Sequence, residues 1–324
     1  MMVPFAASAS AKASADLPLA VGPAMSASGG FPDGGMFIAT LIAKESLARG
    51  DISAAQDALG GTAGAEWVEP ERACDLLLGP EPGDARLALE GLLPGVDVVV
   101  QPREGRRRRL LVADMDSTMI SVECIDELAD YAGVKAEVAA VTERAMRGEL
   151  DFEGALDARV ALLKGLDAGV IDRCHDERVR LTPGARSLVR TMRAHGAYCL
   201  LVSGGFSLFA DRVAAAIGFD AARSNELHVA EGVLAGTVGR PILGAEGKRQ
   251  ALLEVAQARG IPLGAALAIG DGANDIPMLK EAGLGIAYHA KPAAVASADA
   301  RIDANDLGAI LFTQGYSRKE WAAG

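Results

Sequence analysis

Between residues 110 and 302 the chain repeats one pattern: a short apolar run, a polar or glycine-rich end, then in several places a longer stretch with helical spacing. The runs are "LLVAD", "AYCLLVSGG", "AALAIGDG", "LGIAY" and "ARID", each too short to read as a helix. Apolar strands separated by helices build a mostly parallel sheet covered on both faces, so the expected fold class is α/β with a Rossmann-like sheet. In such sheets ligands bind beyond the carboxyl ends of the strands. Three of the runs lead there into chemistry-bearing sequence: "DMDST" at 114–118, "SGG" at 203–205 and "GDGANDIPM" at 270–278.

Asp114 and Asp116 are two apart, and side chains at i and i+2 of extended backbone point the same way. Two carboxylates that close repel unless a cation lies beside them. Asp271 and Asp275 bring more acid to a neighbouring strand end, and an all-oxygen donor set of this kind suits Mg²⁺. Gly270 and Gly272, flanking Asp271, are expected to let the backbone turn tightly there. At the "SGG" end, the Ser203 hydroxyl and the Gly204 amide, where a helix is expected to begin, form a cradle for an anion.

Taken together these motifs carry a resemblance. "DMDST" matches the D-x-D-x-T signature of the haloacid-dehalogenase-like phosphatases, and "LLVSGGF", "GAEGKRQALL" and "IGDGANDIPML" match that superfamily's other three motifs. "VECIDELAD", "RGELDFEGALDARVALLKGL", "LTPGA" and "NELHVAEGVLAGTV" resemble, more narrowly, segments of its phosphoserine phosphatase branch, over roughly residues 108 to 315. That resemblance implies a Mg²⁺-dependent hydrolysis of O-phosphoserine to serine and phosphate, the final step of serine biosynthesis. Asp114 would be the nucleophile that forms an aspartyl phosphate, and Asp116 the general acid and then base. Lys248 would stabilise the transferring phosphoryl oxygens. The metal would lie on Asp114, the carbonyl of Asp116 and Asp271, with Asn274 and Asp275 in support.

The same resemblance places substrate choice in a helical insert at about 120–180. Glu123 would face the substrate ammonium and Arg159 its carboxylate, with Met146 and Phe152 as apolar walls. A cap of this kind closes over a site and excludes water. Two other readings stay open: a phosphatase or phosphotransferase for another small phosphomonoester, and an amino-acid-sensing regulatory protein.

The regulatory alternative comes from residues 36–102, where "MFIATLIA", "ACDLLLG" and "VDVVVQP" read as strands and "DISAAQDALG" and "DARLALEGLL" as helices. These make a small α/β domain compatible with a ferredoxin-like, ACT-type fold, and none of the catalytic candidates lies in it. Residues 1–35, rich in Ala, Ser and Gly, are expected to be disordered, which makes Met36 a second candidate start. "REGRRRRL" at 103–110 opens with a basic linker, 103–109, expected to be solvated, and the phosphatase domain follows at 110–324.

The net charge of −11 argues against nucleic acid and anionic membrane surfaces as partners, leaving a small-molecule substrate. No run approaches the length of a membrane span, and the N-terminus lacks a signal peptide's pattern. The four cysteines show no paired spacing, so a cytoplasmic protein with reduced thiols is expected, and a homodimer is compatible with the sequence.

Overall fold

The structure, a computed structural model, describes residues 36–61 and 63–323, so the stretch expected to be disordered lies outside the described residues. The first unit of the fold runs β1 (Phe37–Ala43), α1 (Arg49–Ala58), β2 (Gly64–Glu69), β3 (Ala73–Leu77), α2 (Ala85–Leu89) and β4 (Val96–Pro102). Its strands form an antiparallel sheet in the order β2-β3-β1-β4, which with the βαββαβ sequence is the ferredoxin-like arrangement. Sequence patterning missed β2, "GAEWVE", because it is an edge strand with few buried side chains and so shows no apolar alternation.

Strand β1 shows why this sheet is buried on both faces. Ala39, Leu41 and Ala43 pack with Cys74, Leu76 and residues of α1 and α2, whereas Ile42, on the opposite face, joins the core of the rest of the chain. The period of two therefore feeds two different cores.

That larger body begins with β5 (Leu110–Ala113), which is followed by the insert helices α3 (Cys124–Ala132), α4 (Lys135–Met146), α5 (Phe152–Leu162) and α6 (Gly169–Arg178). Next come α7 (Ala185–Ala194), β6 (Tyr198–Phe206), α8 (Ser207–Ile217) and β7 (Ala221–Asn225), then a hairpin of β8 (Leu227–Ala230) and β9 (Val233–Val238). The chain closes with α9 (Ala245–Arg259), β10 (Ala266–Gly270), α10 (Ile276–Glu281), β11 (Leu284–Tyr288), α11 (Pro292–Val295), β12 (Ala300–Ile302) and α12 (Ala309–Thr313).

The six-stranded sheet has the order β12-β11-β10-β5-β6-β7, and all its pairs are parallel. Leu111 and Ala113 of β5 face the core shared with α7, α8 and α12, and Leu110 and Val112 face the one shared with α9 and α10. The three strands that carry the motifs, β10, β5 and β6, are neighbours at the centre. Because β5 leads to β6 on one side and β10 returns on the other, their carboxyl ends meet where the strand order reverses.

The arginine run is not a solvated linker. Arg106 donates to the Asp75 carboxylate, which also accepts the Thr40 hydroxyl at 2.7 Å inside the small sheet. Arg107 pairs with Glu320 and lies over the Tyr316 ring, while Arg108 is buried and donates to Gln101 and to the Gly264 carbonyl. Burial lowers the Arg108 guanidinium to about 10. Arg106, Arg107 and Arg108 thus each have an acceptor or ring distant in sequence, which local composition does not display.

Asp75 is 3% exposed. Removing its cation strands a buried charge, so Arg106→Ala should cost about 3 kcal/mol in urea unfolding, and replacing Thr40, Asp75 and Arg106 together by apolar residues should recover most of it. A loss below about 1 kcal/mol for Arg106→Ala would show the pair to be as weak as an exposed one.

Candidate active site

Lys248 organises this edge of the sheet. It lies in the first turn of α9 and is 0% exposed, and its Nζ donates to Asp114 Oδ1 at 2.6 Å and Asp275 Oδ1 at 2.7 Å. Burial alone would pull the ammonium down. The charges of Asp114 and Asp275, with the hydrogen bonds to both, more than offset that and hold it protonated above lysine's usual range.

Asp114 follows β5 directly. Its Oδ1 also accepts the Met115 N–H at 2.8 Å, while its Oδ2 accepts no hydrogen bond among the described residues. Burial and then the Asp275 charge push this carboxyl upward, against the pull of Lys248. After Asp114 the chain makes one tight turn, with Ser117 left-handed at φ 56°, and the Ile120 N–H returns to the Met115 carbonyl. That turn brings Asp116 back over the strand end. Its Oδ1 accepts the N–H of Cys124, the first residue of α3, at 3.0 Å, and its Oδ2 faces the Ser203 hydroxyl at 3.4 Å. Burial and then Glu123 raise the Asp116 carboxyl to about 6, with the Cys124 N–H opposing.

Asp271 and Asp275 arrive from the end of β10. The Asp275 Oδ2 accepts the N–H groups of Asp271 and Gly272 at 3.1 and 2.9 Å, so both its oxygens are engaged. Asp271 accepts the Thr118 hydroxyl at 3.1 Å, and burial followed by Asp275 raises it to about 6. Oxygens of Asp114, Asp271 and Asp275 lie within 4.8 Å of one another. Four carboxylates therefore face one buried ammonium, an excess of negative charge that a divalent cation would balance. The oxygen donors fit such an ion, with Asp114 and Asp271 free to bind it and Asp275 already committed to Lys248 and the backbone.

The glycines here act by leaving space. A β-carbon on Gly270 would lie 2.4 to 2.5 Å from the Asp275 carboxyl group, and one on Gly205 would lie 2.8 Å from Asp116 Oδ2. Gly270 and Gly272 both lack positive φ, so the expected tight turn is not what requires them. The expected helix start at Ser203 is also displaced. Strand β6 continues to Phe206, and its ladder with β7 slips between Val202 and Phe206. Residues 203–205 thus bulge from the pairing, with the Gly204 carbonyl held by the Asn225 amide at 2.9 Å.

The structure gathers most of the remaining candidates here. Glu123 accepts the Ser117 hydroxyl at 2.8 Å. Arg159 on α5 is partly buried and feels Asp126, Glu123 and Asp116; among the described residues only its Nε makes a hydrogen bond, to its own helix. Phe152 lies over the β6 bulge at Gly204 and the loop that carries Gly244, where added β-carbons would meet its ring at 3.1 and 3.0 Å. Asn274 is partly buried beside Gly272. Met146, by contrast, is 82% exposed at the end of α4 and is not brought to the others. Sequence reasoning missed Thr118 and Asn225. Thr118 was marked by its place in D-x-D-x-T, but nothing local marked Asn225, which closes the bulge from a neighbouring strand.

A Rossmann-like sheet with an acidic, lysine-bridged site at its switch point is the arrangement to set beside known hydrolases. Residues 111–280 match the family model described as haloacid dehalogenase-like hydrolase, and the chain belongs to that family. It is 46% identical over 242 residues to a phosphoserine phosphatase of Streptomyces coelicolor, covering 74% of this chain and 59% of that protein. A phosphoserine phosphatase of Polaromonas is 49% identical over 63% of this chain and 88% of its own length. The chain spans less than two thirds of the Streptomyces relative it matches. Among solved structures, a probable phosphoserine phosphatase from Vibrio cholerae superposes with a TM-score of 0.72 at 34% identity, covering 86% of this chain and 87% of that one. Among the described residues no helix is long and apolar enough to cross a membrane.

The space argument separates two neighbouring glycines. Gly270→Ala drives a β-carbon into a carboxyl group fixed by three hydrogen bonds and should cost about 3 kcal/mol or more in unfolding free energy. Gly272→Ala meets only the Asn274 side-chain oxygen, which can swing away, and should cost less than about 1.5 kcal/mol. Equal losses in the two variants would contradict the assignment of Asp275 as the fixed element.

Proposed function

We propose that this protein is a cytoplasmic phosphoserine phosphatase that converts O-phospho-L-serine to L-serine and phosphate, the final step of serine biosynthesis, with Mg²⁺ as cofactor. The observation that carries the reading is the division of labour on Asp114: Lys248 and the Met115 N–H hold Oδ1, which leaves Oδ2 to attack. The names of the relatives support the substrate.

In the first step an Asp114 Oδ2–phosphorus bond forms as the phosphorus–serine oxygen bond breaks. The departing oxygen needs a proton. Asp116 Oδ1 already accepts an N–H, so the proton is carried on Oδ2, and the raised affinity of this carboxyl keeps a fraction of it protonated near neutral pH. In the second step Asp116 takes a proton from water as the water oxygen bonds phosphorus and the bond to Asp114 breaks, which releases phosphate and restores both carboxyl groups. Lys248 holds Asp114 in line, and Ser203, Gly204 and Asn274 border the phosphoryl position. Mg²⁺, held by Asp114, Asp271 and the Asp116 carbonyl, would offset the charge of the carboxylate and the phosphate as they approach.

Arg159 and Glu123 supply selectivity, because the Arg159 Nη groups donate to no acceptor among the described residues and are free for a substrate carboxylate. Phe152 closes one side of the pocket. Met146 would take part only if the cap moves.

Protein stripped with EDTA should lose phosphate release from phosphoserine, and added Mg²⁺ should restore it; full turnover by demonstrably metal-free protein would refute the cofactor reading. Arg159→Ala should shrink the preference for phosphoserine over phosphoethanolamine on the order of 10²-fold in kcat/KM, since the mutant no longer rewards a carboxylate. An unchanged ratio would favour a broader phosphomonoesterase.

A further inference from the structure

Asp97, on β4 of the small sheet, is buried, 6% exposed, and no cation pairs with it among the described residues. It is satisfied by a loop of the larger body instead. Its Oδ1 accepts the N–H groups of Asp303 at 2.9 Å and Ala304 at 3.0 Å, and its Oδ2 accepts the Asn305 N–H at 3.0 Å and side-chain amide at 2.8 Å. Three successive backbone donors converging on one carboxylate fix that loop in place.

The other side of the loop leads to the carboxylate cluster. The Asn305 carbonyl contacts His289 Nε2 at 3.1 Å, and because a carbonyl can only accept, Nε2 carries the hydrogen. His289 also donates its N–H to the Ile302 carbonyl at 2.9 Å. It stands at φ 43°, a left-handed conformation that a non-glycine residue keeps only when its surroundings dictate it. Two residues on, the Lys291 N–H donates to the Asp271 carbonyl at 2.8 Å, and Lys291 Nζ lies 3.8 Å from Asp271 Oδ2.

We propose that Asp97 is a positioning residue for the carboxylate site. By holding 303–305 it holds the His289 turn, and that turn sets the Lys291 contacts that aim Asp271 at the cation. The inference rests on the divalent-cation reading of the site, and it makes the small sheet part of that site's support. Residues around a metal's direct ligands are known to set affinity through orientation alone, typically by tenfold or more.

The test is a Mn²⁺ titration of the full-length protein followed by electron paramagnetic resonance, with thermal unfolding measured in parallel. Asp97→Asn turns an amide toward the Asn305 donors, and His289→Ala removes the ring donor; each should weaken Mn²⁺ binding about tenfold. His289→Gln, which offers an amide N–H to the Asn305 carbonyl, should retain more affinity than His289→Ala. Gln101→Ala is the control: it loses different bonds between the sheet and the body, its donation to the Thr313 carbonyl and its acceptance from Arg108, and should lower Tm without changing Mn²⁺ affinity. Unchanged affinity in both Asp97→Asn and His289→Ala overturns the proposal, as does an equal loss in Gln101→Ala, which would mark general loosening. Wild-type protein that takes up no Mn²⁺ would overturn the cation reading and this inference with it, whereas wild-type binding with flat variants overturns the positioning role alone.

Discussion

A lysine ammonium taken out of water is costly, and the site stands on how that cost is met at Lys248. Two carboxylates receive it, one from the end of β5 and one from the turn after β10, so a single side chain ties together two strands and the helix α9 that carries it. The Asp275 carboxylate also secures the backbone of its own turn, and Gly270 leaves the room it occupies. Charge, backbone and space are therefore fixed by one cluster. Removing either carboxylate would leave a buried, half-paired cation, one of the more disruptive changes available to a protein interior.

The same cluster explains why the site remains acidic. One ammonium does not balance four carboxylates, and that surplus favours a divalent cation; burial first, and then Glu123 beside Asp116 and Asp275 beside Asp271, raise those two carboxyls. The strand order places this surplus at the point where β5 and β10 diverge to opposite sides, beneath the helical insert that carries Glu123, Phe152 and Arg159. Positive charge thus comes from two elements, from Lys248 on α9 and from Arg159 on the insert.

The catalytic strands were legible in the sequence because they are short, apolar on both faces and end in motifs with few other uses. Asp114, Asp116, Lys248, Asp271 and Asp275 were all named from those motifs, and the structure brings all five together. What could not be read locally depended on distant partners. Strand β2 is an exposed edge with no apolar rhythm, and the arginine run resembles a solvated linker until Asp75, Gln101 and Glu320 fold against it. Ser203 stayed in a bulged strand instead of opening a helix because Asn225, 22 positions further on, holds the bulge shut. Met146 points to solvent, a placement that helical spacing alone did not forbid.

The central claim is that phosphorus passes through Asp114 Oδ2. Acid quench during phosphoserine turnover, followed by borohydride reduction and peptide mass spectrometry, converts an aspartyl phosphate to homoserine at the residue that carried it. The account predicts homoserine at position 114 in the presence of Mg²⁺. Homoserine at 116 or 271, or phosphate release with no reducible acyl phosphate under conditions that trap such an intermediate in a known phosphotransfer enzyme, would contradict it.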